Sequence, residues 1–152
     1  MAELKQFVGF VLGKEHYGID IMIVEEIIRI VDITPVPRAP SFVEGIINMR
    51  GRVIPIVDLR KKLCISNDTQ CNDSTRIIVT CIDNKRMGFI VDSVEEVIKI
   101  SSDNIDKAPG TSRAIDNYIS GVARTVEKGM VIILDIRKIF SPQEQMALDS
   151  IR

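Results

Sequence analysis

Histidine occurs once in the chain, at position 16, which limits the catalytic chemistry that the side chains can carry out. A Ser-His-Asp or Cys-His centre would have to be built around His16, which is predicted to be a solvated residue of an exposed turn. The pair Glu25-Glu26 falls in a predicted strand, where neighbouring side chains point to opposite faces and cannot act together as acid and base. The pair Glu95-Glu96 repeats this arrangement and is expected on a solvated face. These residues predict no enzyme active site.

Three cysteines, at positions 64, 71 and 81, are the other residues with obvious reactivity. Their number is odd and they form no Cys-x-x-Cys pair, so neither a disulfide framework nor a zinc site is predicted. Cys71 lies in a polar stretch and is interpreted as an ordinary thiol of a reducing compartment, with a redox-sensing thiol as the alternative. The sequence contains no glycine-rich phosphate loop and no aspartate-rich calcium loop. We therefore expect no metal and no cofactor.

The composition is that of a globular chain with almost balanced charge. The 152 residues include 20 Lys and Arg against 21 Asp and Glu, for a formal net charge of −1. A chain that neutralises nucleic-acid phosphates normally has a basic excess, so the balance disfavours nucleic-acid binding. No apolar run approaches the ~20 residues that span a bilayer, and the first residues lack the pattern of a signal peptide. The sequence predicts a cytoplasmic protein with no direct membrane insertion.

The elements that would position the functional residues are predicted to be mainly strands. The chain has 26 Ile and 15 Val against 6 Leu, and β-branched side chains favour pleated sheets because they lose rotamer freedom in helices. Arg50-Gly51 predicts a hairpin, Asp58 the cap of a short helix, and Ser41-x-x-Glu44 a single helical turn. Pro55 lacks an N–H and predicts an edge strand or a bulge. A C-terminal helix is predicted from Asp135 through Ile139, with a second turn that starts at Ser141-Pro142 before Glu144–Leu148.

The two halves of the chain resemble each other. Residues 17–30 align without gaps with residues 87–100, and six of the fourteen positions are identical. The run Asp58-Leu59-Arg60-Lys61 likewise corresponds to Asp135-Ile136-Arg137-Lys138, with order and spacing retained. We interpret this similarity as an internal duplication.

The duplication predicts the domain organisation. We expect one domain at 5–145 that contains duplicated subdomains at about 17–65 and 76–140, each with about five short strands. The strand at 6–12 is expected to be shared between them, and the polar stretch Ser66–Ser74 is the predicted linker. Units this small bury too little surface alone, so they should pack around a shared core. A groove between them is then the natural place for a partner.

The run Asn48-Met49-Arg50-Gly51-Arg52-Val53-Ile54-Pro55-Ile56-Val57-Asp58-Leu59-Arg60 combines a glycine turn, a strand that contains proline and a capped helix start. It closely resembles the signature of the CheW family of chemotaxis adaptor domains, in which Asn-Leu-Arg-Gly leads into a Val/Ile-Pro-Val/Ile strand and an Asp-Leu-Arg helix start. Tyr17–Ile21, Pro35–Pro37 and Phe42–Asn48 agree with the same family in order. The resemblance covers about residues 5–140, and Met49 in place of the usual leucine conserves volume.

The resemblance implies a mainly β fold of two intertwined, five-stranded SH3-like barrels, with short helices at the barrel ends and a C-terminal helix. It implies a non-enzymatic adaptor that couples the signalling tips of membrane chemoreceptors to the regulatory domain of the histidine kinase CheA. Such a protein is recruited to membrane receptor arrays and is expected to be a monomer when free. By position, the resemblance assigns receptor coupling to Val24, Glu26, Gly45, Asn48, Arg50, Gly51, Val97 and Gly121. Arg50 is expected to hold the receptor-facing groove in shape by pairing with Glu26, with a solvated turn arginine as the alternative.

Two other functions agree with parts of the sequence. An adaptor of a non-chemotaxis array, for example one that controls type IV pili, would share all of these residues. A nucleic-acid-binding small β-barrel is the alternative from another class, although balanced charge and few aromatic residues count against it. A free-standing adaptor is the preferred interpretation, because the chain contains neither a kinase ATP-binding region nor an acidic receiver site. Asp106–Thr111 lacks the basic and aromatic residues that some family members use for a second kinase contact.

Overall fold

The computed structural model describes residues 3–65, 71–106 and 118–151. The strands are β1 Leu4–Leu12, β2 Glu15–Asp20, β3 Val24–Arg29, β4 Val43–Met49, β5 Arg52–Asp58, β6 Arg76–Ile82, β7 Lys85–Val91, β8 Ser93–Ser101, β9 Ile105–Asp106, β10 Ile119–Thr125 and β11 Gly129–Leu134. The helices are α1 Leu59–Lys62 and α2 Pro142–Ile151, and 3₁₀ turns lie at Ile21–Ile23, Ser102–Asn104 and Ile136–Lys138. The mainly β class with a C-terminal helix is confirmed. Neither described α-helix has the length and apolar character needed to cross a membrane.

The described strands form two sheets. The five-stranded sheet has the order β3-β6-β7-β5-β4, and the six-stranded sheet has the order β8-β1-β2-β11-β10-β9. Each sheet contains one parallel pair, β5 with β7 and β2 with β11, between antiparallel neighbours. β3 and β4 are the edges of the five-stranded sheet, so the hairpin that β4 forms with β5 lies at one end of it.

The internal repeat explains why the two sheets look alike. Aligning residues 17–30 with residues 87–100 matches β2 with β7 and β3 with β8. When β1, β4 and β5 are matched with β6, β10 and β11, both sheets have the same strand order. β1 and β2 nevertheless lie in the sheet of the second half, whereas β6 and β7 lie in the sheet of the first half. The two units are therefore intertwined, as predicted.

One hydrophobic cluster joins the two sheets, and each sheet has a smaller cluster of its own. The joint cluster contains Phe10 and Ile19 from the six-stranded sheet and Val57, Ile78 and Phe89 from the five-stranded sheet, all at most 1% exposed. Burial at this level removes almost the whole apolar side chain from water, which is the main favourable term in folding. The expected shared core is present, and it fixes the sheets relative to each other.

The prediction of a helical turn at Ser41–Glu44 is wrong. The Val43 N–H donates to the Pro40 carbonyl in a tight turn, and Val43 already belongs to β4. The residues that follow Glu44 include Ile46 and Ile47, which pair with β5. β-Branched side chains favour this strand over a helix, and the Glu44 carboxylate forms an ion pair with Lys61 instead of capping a turn.

Of the two alternatives predicted from Pro55, an edge strand or a bulge, the edge strand is wrong. β5 lies between β4 and β7, and Pro55 is buried opposite Ile46 of β4. The parallel pairing of β5 with β7 begins only at Ile56, opposite Gly88. Pro55 therefore stands just before the stretch in which β5 is paired on both sides. The second alternative, a bulge, is present: the register of β4 against β5 shifts between Val43 and Gly45, opposite Val57 and Ile56.

Candidate functional site

The hairpin between β4 and β5 ends in a two-residue turn at Arg50-Gly51. Met49 pairs with Arg52 across the turn, and φ is positive at both turn residues, 53° at Arg50 and 80° at Gly51. Positive φ at both positions gives a type I′ turn, whose twist matches that of the flanking strands. The Gly51 N–H donates to Oδ1 of Asn48 at 2.9 Å. Asn48, Arg50 and Gly51 together shape the tip of the predicted hairpin.

Glu26 on β3 holds the Arg50 side chain at this tip. Nη1 and Nη2 of Arg50 each donate to one carboxylate oxygen of Glu26, both at 2.9 Å. The hydrogen bonds and charge of Arg50 lower the pKa of Glu26, and Glu26 in turn raises the pKa of Arg50. The Arg50 side chain is 72% exposed and the Glu26 side chain 29% exposed. The expected pairing is thus present as a planar, two-bond ion pair at the surface.

Val24 and Glu25 precede Glu26 on β3 and have different surroundings. Oε2 of Glu25 accepts from Nε of Arg86 at 2.7 Å, so the two adjacent glutamates have separate partners, as predicted for a strand. Val24 is half-buried against the joint hydrophobic cluster. The register of β3 against β6 shifts between Val24 and Glu26, and such a bulge changes the direction of the side chains beside it. The bulge therefore stands directly before the glutamate that holds Arg50.

His16 and Glu95 are paired, which corrects the prediction that both are simply solvated. Nδ1 of His16 lies 2.7 Å from one Glu95 oxygen, and Nζ of Lys128 donates to the other at 2.9 Å. Burial opposes the charge of Glu95, but the hydrogen bonds from Lys128 and His16 lower its pKa. The internal repeat aligns this pair with Arg86 and Glu25. The two equivalent contacts are seen only in the structure, so the sequence alone carried no signal for either pair.

The hairpin tip carries charged side chains, and exposed apolar side chains lie on the strand and the hairpin that bear Glu26 and Arg50. Two of these side chains are β-branched: Ile27, which follows Glu26 on β3, is 41% exposed, and Val53, on β5 of the hairpin, is 45% exposed. In the described ranges 3–65, 71–106 and 118–151, no cluster of three or more His, Cys, Asp or Glu side chains could hold a metal ion.

Comparison with models of known protein families matches residues 6–144 to the CheW-like domain. The chain belongs to the CheW-like family. Chemotaxis protein CheW of Treponema pallidum is 37% identical over 147 residues, which cover 94% of this chain and 86% of that protein. Chemotaxis protein CheW of Thermotoga maritima is 38% identical, over 90% of this chain and 89% of that protein. The crystal structure of the scaffolding protein CheW from Thermoanaerobacter tengcongensis superposes with a TM-score of 0.84 at 37% identity, over 93% of this chain and 96% of that one.

The signature run of the CheW-like family, residues 48–60, forms one continuous unit. It includes the hairpin tip, all of β5 and the start of α1. The predicted helix cap is confirmed, because Oδ1 of Asp58 accepts from the Arg60 N–H at 2.9 Å. The sequence did not predict that Asp58 and Arg60 are both buried, at 0% and 3% exposure of the whole residue. The signature therefore joins an exposed tip to a buried ionic anchor.

Two glycines that the CheW-like resemblance singles out are required by close backbone contacts. Gly45 is buried with a φ of 148°, and a Cβ there would lie 2.1 Å from the Thr34 carbonyl oxygen. Gly121 occupies the equivalent position in the other half, where a Cβ would lie 2.8 Å from the Asp106 carbonyl oxygen. Contacts this short exclude any side chain without backbone movement. Both glycines therefore allow β4 and β10 to lie close to the backbone of a neighbouring segment.

The structure brings most of the assigned residues together but separates two of them. Six of the assigned residues lie on β3 or on the β4–β5 hairpin of the five-stranded sheet: Val24, Glu26, Gly45, Asn48, Arg50 and Gly51. Val97 and Gly121 lie on the six-stranded sheet, where Val97 is 45% exposed on β8.

The internal repeat gives the exposed Val97 a counterpart on β3 that the sequence did not single out. Ile27 aligns with Val97 and is similarly exposed, at 41%. It also follows Glu26 directly on β3. Position in the repeat was the signal that could have identified it.

Proposed function

We propose that this chain is a non-enzymatic chemotaxis adaptor that couples the cytoplasmic tips of chemoreceptors to the regulatory domain of the histidine kinase CheA. The chain is a monomer when free and is recruited to membrane receptor arrays. Membership of the CheW-like family supports the proposal, as do relatives that are named chemotaxis protein CheW and cover nearly the whole chain. The similar solved structure carries the name of a scaffolding protein.

The Glu26–Arg50 pair is the observation that carries the proposal. Both terminal nitrogens of Arg50 are used in it, although the arginine side chain remains 72% exposed. Exposed ion pairs contribute little to folding stability, so stability alone does not explain this geometry. Holding a guanidinium plane in place at a hairpin tip does prepare a surface for a partner, because less side-chain entropy is lost on binding. In the proposal this tip faces the receptor.

In the proposal, the other assigned residues either add apolar contact or shape the strands and the hairpin tip. Val24 and Val97 offer apolar contact on β3 and β8. Asn48 and Gly51 set the conformation of the tip that carries Arg50. Gly45 and Gly121 keep β4 and β10 close to neighbouring backbone and touch no partner through side chains.

The experiment is a reconstitution of the chain with its cognate kinase and a receptor signalling fragment. We expect Arg50→Ala to lower receptor binding at least tenfold, while the melting temperature and binding to the isolated kinase regulatory domain stay close to wild type. Arg50→Lys should be defective as well, because an ammonium cannot form the two parallel bonds of the guanidinium. Arg124→Ala is the matched control: Arg124 is a 63% exposed arginine, paired with Asp106, on the other sheet.

Receptor-coupled kinase activity is the deciding measurement. If Arg50→Ala couples the kinase to receptors as well as Arg124→Ala does, at equal protein levels, the proposed role of the tip is wrong. If the wild-type chain binds neither the kinase regulatory domain nor the receptor fragment, the proposed adaptor function itself is wrong for this pair of partners.

A further inference from the structure

Two arginines stand directly opposite each other on adjacent strands of the five-stranded sheet. Arg29 of β3 is the register partner of Arg76 of β6. Directly opposed residues on antiparallel strands have side chains on the same face, with Cβ atoms about 5 Å apart, and like charges there are destabilising. β3 is an edge strand of its sheet, and Arg29 is exposed. The fold therefore holds two positive charges together at an accessible place.

The other half of the molecule shows that the fold does not require this repulsion. Lys99 of β8 corresponds to Arg29 in the internal repeat, and its register partner on β1 is Gln6. The same cross-strand position is thus filled there by one cation and a neutral amide. The doubled charge is a feature of the Arg29–Arg76 position alone.

The turn before β6 fixes one of the two guanidinium groups. Nη1 of Arg76 donates to the carbonyl oxygens of Asp73 and Thr75, at 2.7 and 2.9 Å. The turn is itself held by Asn72, whose N–H donates to Oγ1 of Thr75 and whose Oδ1 accepts from the Ser74 N–H. Arg76 is therefore positioned before any ligand arrives.

The arginines share a surface depression. It is lined by Arg29, Ile30, Asn72, Asp73, Thr75 and Arg76. Among the described residues, no carboxylate oxygen lies within the 4.0 Å ion-pair distance of either guanidinium. The depression thus combines two cations and a polar turn, and its acidic lining residue, Asp73, has no described ion pair with either arginine within that distance.

We propose that Arg29 and Arg76 together bind one oxyanion, either the carboxylate of an acidic side chain on a partner protein or a free phosphate. Planar guanidinium groups match carboxylate and phosphate oxygens, and charge-assisted hydrogen bonds of this kind are stronger than neutral ones. An anion between the two side chains also removes the repulsion between them. This site is separate from the Glu26–Arg50 tip, so its test does not depend on the proposed adaptor function.

The test uses the isolated full-length chain with inorganic phosphate and acetate as probes, at an ionic strength held constant with chloride. In amide NMR titrations we expect phosphate to shift signals of Arg29, Thr75 and Arg76 in a saturable way. Arg29→Gln should weaken that binding about tenfold. Lys99→Gln, which removes the same charge at the equivalent position, should leave it unchanged. At low salt without phosphate, Arg29→Gln should also raise the melting temperature, whereas Lys99→Gln should not.

Each outcome decides the proposal. Saturable shifts with acetate as well as phosphate support a carboxylate ligand, and shifts with phosphate alone support a phosphate. Equal shifts with chloride, equal binding by Arg29→Gln and the wild type, or no shifts with either probe would overturn the proposal. A melting temperature that falls in Arg29→Gln at low salt would also overturn it, because the two charges would then not repel each other.

Discussion

At the scale of single residues, the motif Asp-x-Arg ends a strand in each half of the chain, but its arginine has opposite surroundings. The Arg60 side chain is 4% exposed and donates to Asp58 and to Asp92, whereas that of Arg137 is 62% exposed and lies 4.0 Å from Asp83. Burial disfavours the charged guanidinium, but the hydrogen bonds to Asp58 and Asp92 outweigh it and raise the pKa of Arg60. Asp92 also accepts from the Gly13 N–H, so the buried arginine links both sheets.

Removing this arginine should have a large effect on stability. Arg60→Ala leaves the carboxylate of Asp58 buried without its counter-charge, which typically costs about 3–5 kcal/mol. Arg137→Ala is the matched control and should stay within the range of surface substitutions, about 0.5 kcal/mol. Urea denaturation of both variants measures the difference. Similar midpoints for the two variants would contradict the buried linkage.

The sequence predicted local contacts well, that is, contacts between residues that are close in the chain. The hairpin at Arg50-Gly51 and the cap by Asp58 follow from local geometry, and both are present. The pairing of His16 with Glu95 was missed, because it joins residues 79 positions apart. Such a contact depends on which strands share a sheet, and single residues carry little information about that.

At the scale of elements, two segments with the same sequence spacing form different secondary structures. Ser41-x-x-Glu44 and Ser141-x-x-Glu144 both have the spacing of a capping box, but only the second begins a helix. There the Glu144 N–H donates to the Ser141 hydroxyl, and the Ser141 N–H donates to the Glu144 carboxylate. Pro142 at the first helical position and the helix formers after it favour this outcome. After Glu44, isoleucines that pair with β5 favour the strand.

The strand β4 provides a prediction at this scale. Gly45→Ala should lower the free energy of unfolding by about 3 kcal/mol or more. The alanine Cβ would overlap the Thr34 carbonyl oxygen, and the backbone at this position has a positive φ that L-residues avoid. Gly51→Ala is the control: its φ is also positive, but no atom lies within 4 Å of the added Cβ. Backbone strain alone then costs about 1–2 kcal/mol. Thermal unfolding compares them, and an equal loss in both variants would show that the close contact at Thr34 does not matter.

At the scale of the whole molecule, the exchange of strands makes the two halves dependent on each other. The five-stranded sheet takes β6 and β7 from the second half, and the six-stranded sheet takes β1 and β2 from the first. The duplication was visible in the sequence, but this exchange was not derivable from it. Two repeats can pack as separate units or intertwined ones with the same hydrophobic pattern, and only the resemblance to the CheW family pointed to the second.

The expected linker Ser66–Ser74 offers a test of this dependence, although its residues 66–70 lie outside the described part of the chain. We expect fragments 1–70 and 71–152, produced separately, to lack cooperative unfolding, because each sheet would lose two strands and their share of the joint core. When the two fragments are co-expressed, they should associate into one folded species of the size of the intact chain. Circular dichroism and size-exclusion chromatography measure both states.

The intact chain with a protease site inserted between residues 66 and 74 is the control for that experiment. Its cut form should stay associated under native conditions and unfold as one unit, at a lower melting temperature than the uncut form, because the covalent connection no longer restricts the unfolded state. The strands β5 and β7 lie side by side although they come from different fragments, so separation would break backbone hydrogen bonds inside the sheet. If the cut protein instead separates into two halves that each unfold cooperatively, the halves are independent domains and the intertwined arrangement is wrong.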